Sequence, residues 1–123
     1  MNKNGSELRL GEAGTVVRQA ALARLAEVSV SALLRVPPVR LRSSKRGRRP
    51  VARARQMAMY LAHVGFGLTY TRIGICFGRD RSTVRHACTL IEDRRDDPAL
   101  DLALAAAEAG LVALGTRLGE AVR

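Results

Sequence analysis

Four breaks cut the chain, at Pro37-Pro38, Gly65-Phe66-Gly67, Gly78 and Asp96-Asp97-Pro98. Proline lacks an N–H and collides with the preceding helical turn, and glycine readily takes the left-handed conformation that ends helices, so regular elements must fit between these points. Between them the apolar residues recur every three or four positions and do not alternate, which predicts short helices and no sheet. The chain has 123 residues, enough for one modest core, so the expected fold is an all-α helical bundle.

Residues 1–14 are polar, contain glycine and show no periodicity, and are expected to form a flexible N-terminus. From Thr15, a plausible N-cap, Val16, Val17, Ala20, Leu22, Ala23, Leu25 and Ala26 outline one helix face. Val28-Ser29-Val30-Ser31 is expected to interrupt that helix, with a short second one over 32–35. The stretch 36–50 mixes three prolines with Arg40, Arg42, Lys45, Arg46, Arg48 and Arg49, and reads as a basic linker that buries no face. Val51, Ala54, Met57, Ala58, Leu61 and Ala62 then predict a helix over 51–64.

Thr69 can cap a short helix carrying Ile73, Cys76 and Phe77, which Gly78 terminates. A second helix follows, apolar at Val84, Ala87, Cys88 and Ile91 and polar at Arg79, Asp80, Arg81, Ser82, Thr83 and Arg85. Two short helices joined at a glycine are the helix-turn-helix arrangement, whose second helix offers small polar or basic side chains to base edges from its first turn. Beyond Pro98, Leu100, Leu104, Ala107, Leu111, Leu114 and Leu118 mark an extra C-terminal helix. Its stripe suits packing on the domain, self-association or a partner groove. The expected organisation is a helix-turn-helix domain over 15–95 containing the linker 36–50, followed by the helix within 96–123.

Charge indicates what such a unit binds. Arg35 to Arg85 contains 13 Lys and Arg against the single acid Asp80, within a chain of net charge +10, while the flanks carry little net charge. A basic field confined to the middle can be presented as one surface to a polyanion, nucleic acid first and an anionic membrane face second. Cys76 and Cys88 lie in apolar stretches without zinc-ligand spacing and read as buried thiols. No run of 18 apolar residues and no signal-type start is apparent, so the expectation is a cytoplasmic, nucleoid-associated protein without membrane contact. No catalytic or metal-ligand constellation stands out, and the acids at Glu92, Asp93, Asp96 and Asp97 read as one solvated run. Neither an enzyme nor a cofactor is expected.

The stretches VARARQMAMYLA at 51–62 and IGICFGRDRSTVRHA at 73–87 resemble the C-terminal DNA-binding domain of the bacterial replication initiator DnaA, whose signatures are close to VARPRQMAMYLA and IGxxFGGRDHTTVxHA. The resemblance covers roughly residues 15–93 and implies a Trp-repressor-like helix-turn-helix. It implies that Arg53 enters the minor groove, that Arg55 contacts the backbone, and that Asp80, Arg81 and Ser82 read bases beside Thr83 and Arg79. Arg81 can bridge guanine O6 and N7, Asp80 can accept from a cytosine amine, and Ser82 or Thr83 can meet a base or phosphate. With Arg48, Arg49, Thr69, Tyr70, Arg72 and Arg85 these form the candidate DNA-contacting set. His86 is expected to make a structural hydrogen bond.

Three departures fall at the reading turn: Arg81 stands for the family's His, Ser82 for its first Thr, and one of two glycines before Arg79-Asp80 is missing. They predict a changed DNA site. The sequence has no Gly-x-x-x-x-Gly-Lys-Ser/Thr loop and no room for a nucleotide-binding module, so a full initiator is not expected. Double-stranded DNA is the expected partner, with RNA polymerase, another DNA-binding protein or a second copy docking through the C-terminal helix. The resemblance is compatible with a transcriptional activator of the kind that controls gene transfer agents in alphaproteobacteria. It is also compatible with an origin-binding modulator of replication initiation.

Overall fold

The computed structural model describes the backbone of residues 3–41 and 49–121 and the side chains of residues 14–41 and 49–120. The described residues form helices α1 (Lys3–Leu34), α2 (Pro38–Leu41), α3 (Arg49–Phe66), α4 (Tyr70–Phe77), α5 (Arg81–Arg94) and α6 (Pro98–Ala121), with no strand among them. This is the expected all-α architecture.

Helix α1 departs from expectation at both of its supposed ends, since it begins at Lys3 and continues through Val28–Ser31 to Leu34. The physical reason for the continuation is on its inner face: Ala23, Ala26, Glu27, Val30 and Ser31, at helical spacing, are all buried. That packing outweighs the weak helix preference of the Val-Ser-Val-Ser stretch. The helix stops instead at Arg35, which takes the left-handed conformation (φ 57°), followed by a bond from Val36 N to Ser31 O (3.1 Å). This is a Schellman termination, with the apolar Val36 tucked in after it.

The segment expected to bury nothing does bury something. Arg40 N bonds Pro37 O (3.0 Å), closing the single turn of α2, and Leu41 is fully buried at its end.

Helix α3 is the central post. It buries Val51, Ala54, Ala58, Met59, Tyr60, Leu61 and Ala62 against α1, α5 and α6, and ends where Gly67 (φ 67°) accepts the left-handed turn and bonds His63 O (2.9 Å). Helix α5 lays Val84, Ala87, Cys88 and Ile91 on α3, and α4 contributes Ile73 and Phe77 to the same core.

Of the readings for α6, packing on the domain describes Leu104 and Leu111, which are buried, and Leu100 and Ala107, which are partly so. Leu114 and Leu118 of the same stripe are exposed. Gly115 is buried, and an added Cβ there would lie 2.9 Å from the Phe66 ring and 3.3 Å from Leu22. Residues Pro98–Glu120 also reach the length and mean hydropathy (1.5) of a membrane span, which corrects the expectation that no stretch would.

Arg95 ties α6 to the rest. Its guanidinium donates to Asp101 Oδ1 (2.6 Å) and Tyr60 Oη (2.9 Å) and lies 3.6 Å from Glu108 Oε2. The Tyr60 hydroxyl donates in turn to Glu92, so one of the acids expected to be merely solvated is an acceptor for a buried phenol.

Both thiols are free, Cys88 buried and Cys76 partly so. Burial pushes the Cys88 thiol up from 9.0 to about 11. A folded-state pKa above the unfolded one means that this contribution to stability is complete below pH 9 and is lost as pH climbs toward 11. A thiol reagent at pH 8 is therefore expected to label one cysteine of the native protein promptly, Cys76, and Cys88 only on unfolding. Mass mapping that found equal labelling of both would contradict this packing.

Candidate nucleic-acid interface

The helix-turn-helix is built on a close backbone approach. Thr69 caps α4 with Oγ1 accepting from Arg72 N (3.1 Å), and at the other end Gly78, in the left-handed conformation (φ 64°, ψ 41°), directs its N–H to Gly74 O. Arg79 N bonds the same carbonyl at 2.9 Å. The chain then folds back so tightly that a Cβ on Gly74 would sit 2.5 Å from Arg79 O. Only glycine fits there, and this contact sets how α5 leaves α4.

Helix α5 starts at Asp80, whose backbone is extended (φ −68°, ψ 150°) and whose carbonyl accepts from Val84 N (3.1 Å). An aspartate at an N-cap ordinarily spends its carboxylate on the first amides. Asp80 makes no side-chain capping bond, and its side chain is exposed. Arg81, Ser82, Thr83 and Arg85 are exposed on the same end of the helix while Val84 and Ala87 point into the core. An acceptor, a guanidinium and two hydroxyls thus stand together at a helix start, the pattern that base edges require. Thr71, Ile75, Gly78, Arg79, Asp80 and Arg81 line a shallow depression of about 370 Å3 at this end. Ile75 is 64% exposed there, and the sequence pattern did not single it out.

A second basic edge forms at the start of α3. Arg49 and Arg53 are exposed and line a groove of about 410 Å3 with Leu34, Val36, Pro50 and Met57. Arg48 lies outside the described residues.

Arg55 is not on that edge. It is 6% exposed, with Nε donating to Leu41 O (2.7 Å) and Nη2 to Arg40 O (3.1 Å), so its guanidinium closes the end of α2. Burial first, and the charge of Arg79 second, lower its pKa. The reason is geometric: Ala54 and Ala58 face the core beside it, and its position on α3, one residue after Ala54 and three before Ala58, points inward.

The remaining predicted residues divide. Arg72 is half-buried, and the Tyr70 ring is partly turned in against His63, with centroids 4.4 Å apart. Arg79 directs Nη1 to the carbonyls of Phe77 (3.5 Å) and Gly78 (3.2 Å), bracing the turn. His86, expected to make a structural hydrogen bond, is exposed.

One group that holds this site in place was not foreseen. Arg24 of α1 donates Nη2 to Cys76 O at the end of α4, stacks 5.1 Å over the Phe77 ring, and pairs through Nη1 with Glu27 (3.0 Å), itself 1% exposed. A cation at a helix C-terminus satisfies carbonyls that have no partner within the helix. The available signal was an Arg and a Glu three apart on an otherwise apolar face.

Comparison with known proteins agrees with this construction. The family model for the bacterial dnaA protein helix-turn-helix matches residues 27–91. The chromosomal replication initiator protein DnaA of Acinetobacter baumannii strain ATCC 17978 is 45% identical over 74 residues, which cover 58% of this chain and 16% of that protein. The protein of the same name from Sphingopyxis alaskensis is 52% identical over 66 residues, covering 52% and 15%. The chain therefore spans only about a sixth of the length of these relatives. No solved structure gives a significant match. With α4, its Gly74 pivot and α5 as far as Ile91 inside the matched segment, the chain belongs to the bacterial DnaA helix-turn-helix family, a family of DNA-binding domains.

Proposed function

We propose that this protein is a transcriptional regulator that binds double-stranded DNA at specific sequences, acting as an activator in the nucleoid. The observation that carries the reading is the start of α5, where Asp80 keeps its carboxylate out of the helix cap beside an exposed Arg81. Arg81 bridges a guanine, Asp80 accepts from a cytosine amine, and Ser82 and Thr83 meet neighbouring bases or phosphates. Arg53 enters the minor groove, where the potential is most negative, while Arg49, Arg72, Arg79 and Arg85, with Thr69 and Tyr70 at the start of α4, lie along the phosphates. In this reading Arg55 positions α2 and meets no DNA.

The DNA-binding domain would comprise residues 15–95, with α6 as a buttress. An apolar groove of about 600 Å3 between α1 and α6, lined by Val17, Leu22 and Leu118 among others, is offered to RNA polymerase or a second subunit.

Arg81→Ala is expected to cost about 1–3 kcal/mol on the preferred site while sparing binding to random duplex. Equal loss on both would demote Arg81 to a phosphate contact. The alternative, an origin-binding modulator of replication initiation, is favoured by the relatives' name. Genome-wide mapping of bound fragments separates the two: sites upstream of one operon support the regulator, and sites clustered at an origin overturn it.

A further inference from the structure

Beside the α3 edge lies α2, which packs on α1 and α3 and carries none of the candidate contact residues. Four observations describe it as a built platform. Leu41 is fully buried and Val36 nearly so, pinning both ends to the core. Pro37 and Pro38 restrict the backbone at its entry. Arg55 holds its last two carbonyls from within, at 2.7 and 3.1 Å. Arg35 enters it in a left-handed conformation that glycine or asparagine would adopt with less strain.

Beside Pro37, Pro38 and Val39, this platform presents two cations to solvent. Arg35 and Arg40 are both exposed. Arg35 sits between Leu34 and Val36, which line the groove with Arg49 and Arg53. The Arg40 carbonyl accepts from Arg55, which is close enough to Arg79, at the helix-turn-helix, for the two charges to interact. The platform packs on α1 and α3 beside the α3 edge, and neither cation is taken up in an ion pair there among the described residues. The left-handed turn at Arg35 ends α1 and would suit glycine better, so the arginine adds a charge that the turn itself does not require.

We propose that Arg35 and Arg40 form a phosphate clamp, placed by α2, that joins the contacts made by Arg53 and by α5 into one continuous track along the DNA backbone. This rests on the reading of the chain as a duplex-binding protein. The ligand is the sugar-phosphate backbone of double-stranded DNA, so the clamp adds affinity and registers the protein on the duplex without reading bases.

The test is the double variant Arg35→Gly/Arg40→Ala. Glycine suits the left-handed position, and the Arg55 bonds go to main-chain carbonyls that both substitutions keep, so the melting temperature should not fall. Affinity for a duplex of about 30 base pairs would be measured across a salt series, alongside hydroxyl-radical footprinting. The log–log salt slope is expected to become shallower by about 1.8, roughly 0.9 for each phosphate contact removed, with affinity at fixed salt down roughly tenfold. The footprint should lose protection at the backbone sugars between the two edges, and base preference should not change. A slope and footprint equal to those of the parent protein would overturn the clamp and leave the platform to another partner, such as an acidic protein. A shift in base preference would overturn it too. Absence of salt-dependent duplex binding by the parent protein would instead overturn the underlying reading, so the two failures are distinguishable.

Discussion

Gly74→Val is expected to lower stability by about 3 kcal/mol and to abolish site-specific DNA binding. Nothing about Gly74 is chemical in the ordinary sense; its importance is the 2.5 Å that separates its missing Cβ from the Arg79 carbonyl. That oxygen is backbone and cannot swing aside as a side-chain tip could. Its neighbour Arg79 N and the Gly78 N–H both converge on the Gly74 carbonyl. A branched side chain must therefore push the turn off α4, break these bonds and rotate the start of α5, moving Asp80 and Arg81 together. For a chain of this length the loss corresponds to a fall of roughly 10 °C in melting temperature. A urea or thermal melt with the parent midpoint would show that the turn has slack that the packing does not suggest.

Removing residues 99–123 is expected to cost more still. Leu104 and Leu111 are each 4% exposed, and a buried leucine lost from a core costs about 2–4 kcal/mol. Deletion takes both, uncovers Phe66 and Leu22 beside Gly115, and leaves Arg95 without Asp101 and Glu108. The truncated chain should melt early and with reduced cooperativity, and it should lose DNA binding because α3 carries the Arg53 edge. A truncated chain that melted like the parent and still bound duplex would make α6 an appendage for partners.

Much of this was legible in the residues. The breaks at Gly65–Gly67, Gly78 and Pro98 coincide with the ends of α3 and α4 and the start of α6, because glycine and proline act locally through the backbone. The inward face of α5 was legible for the same reason, since Val84, Ala87, Cys88 and Ile91 repeat with the helical turn. What failed was wherever a tertiary contact outvoted a local preference. Ser29 and Ser31 looked like a break, yet the burial of Val30 and Glu27 carries α1 straight through them. Arg55 looked like one more cation of a basic stretch, and only the three-dimensional position of α2 shows that its charge is spent on two carbonyls. Arg24 was hidden for the same reason, its partner Cys76 O lying 52 residues away. Spacing along a chain does not encode which carbonyl a long side chain will find.

The proximity of Arg55 and Arg79 has a thermodynamic corollary. With a net charge of +10, the unliganded protein holds like charges together at a cost, and a polyanion bound at its exposed arginines relieves it, while Arg55 stays buried. Added salt should then act in opposite senses on two equilibria: it screens the self-repulsion and so steadies the free protein, while it competes with the duplex and so loosens the complex. Binding and folding are coupled through the field these arginines share, so an anionic ligand would act as a folding partner for this chain as well as its target.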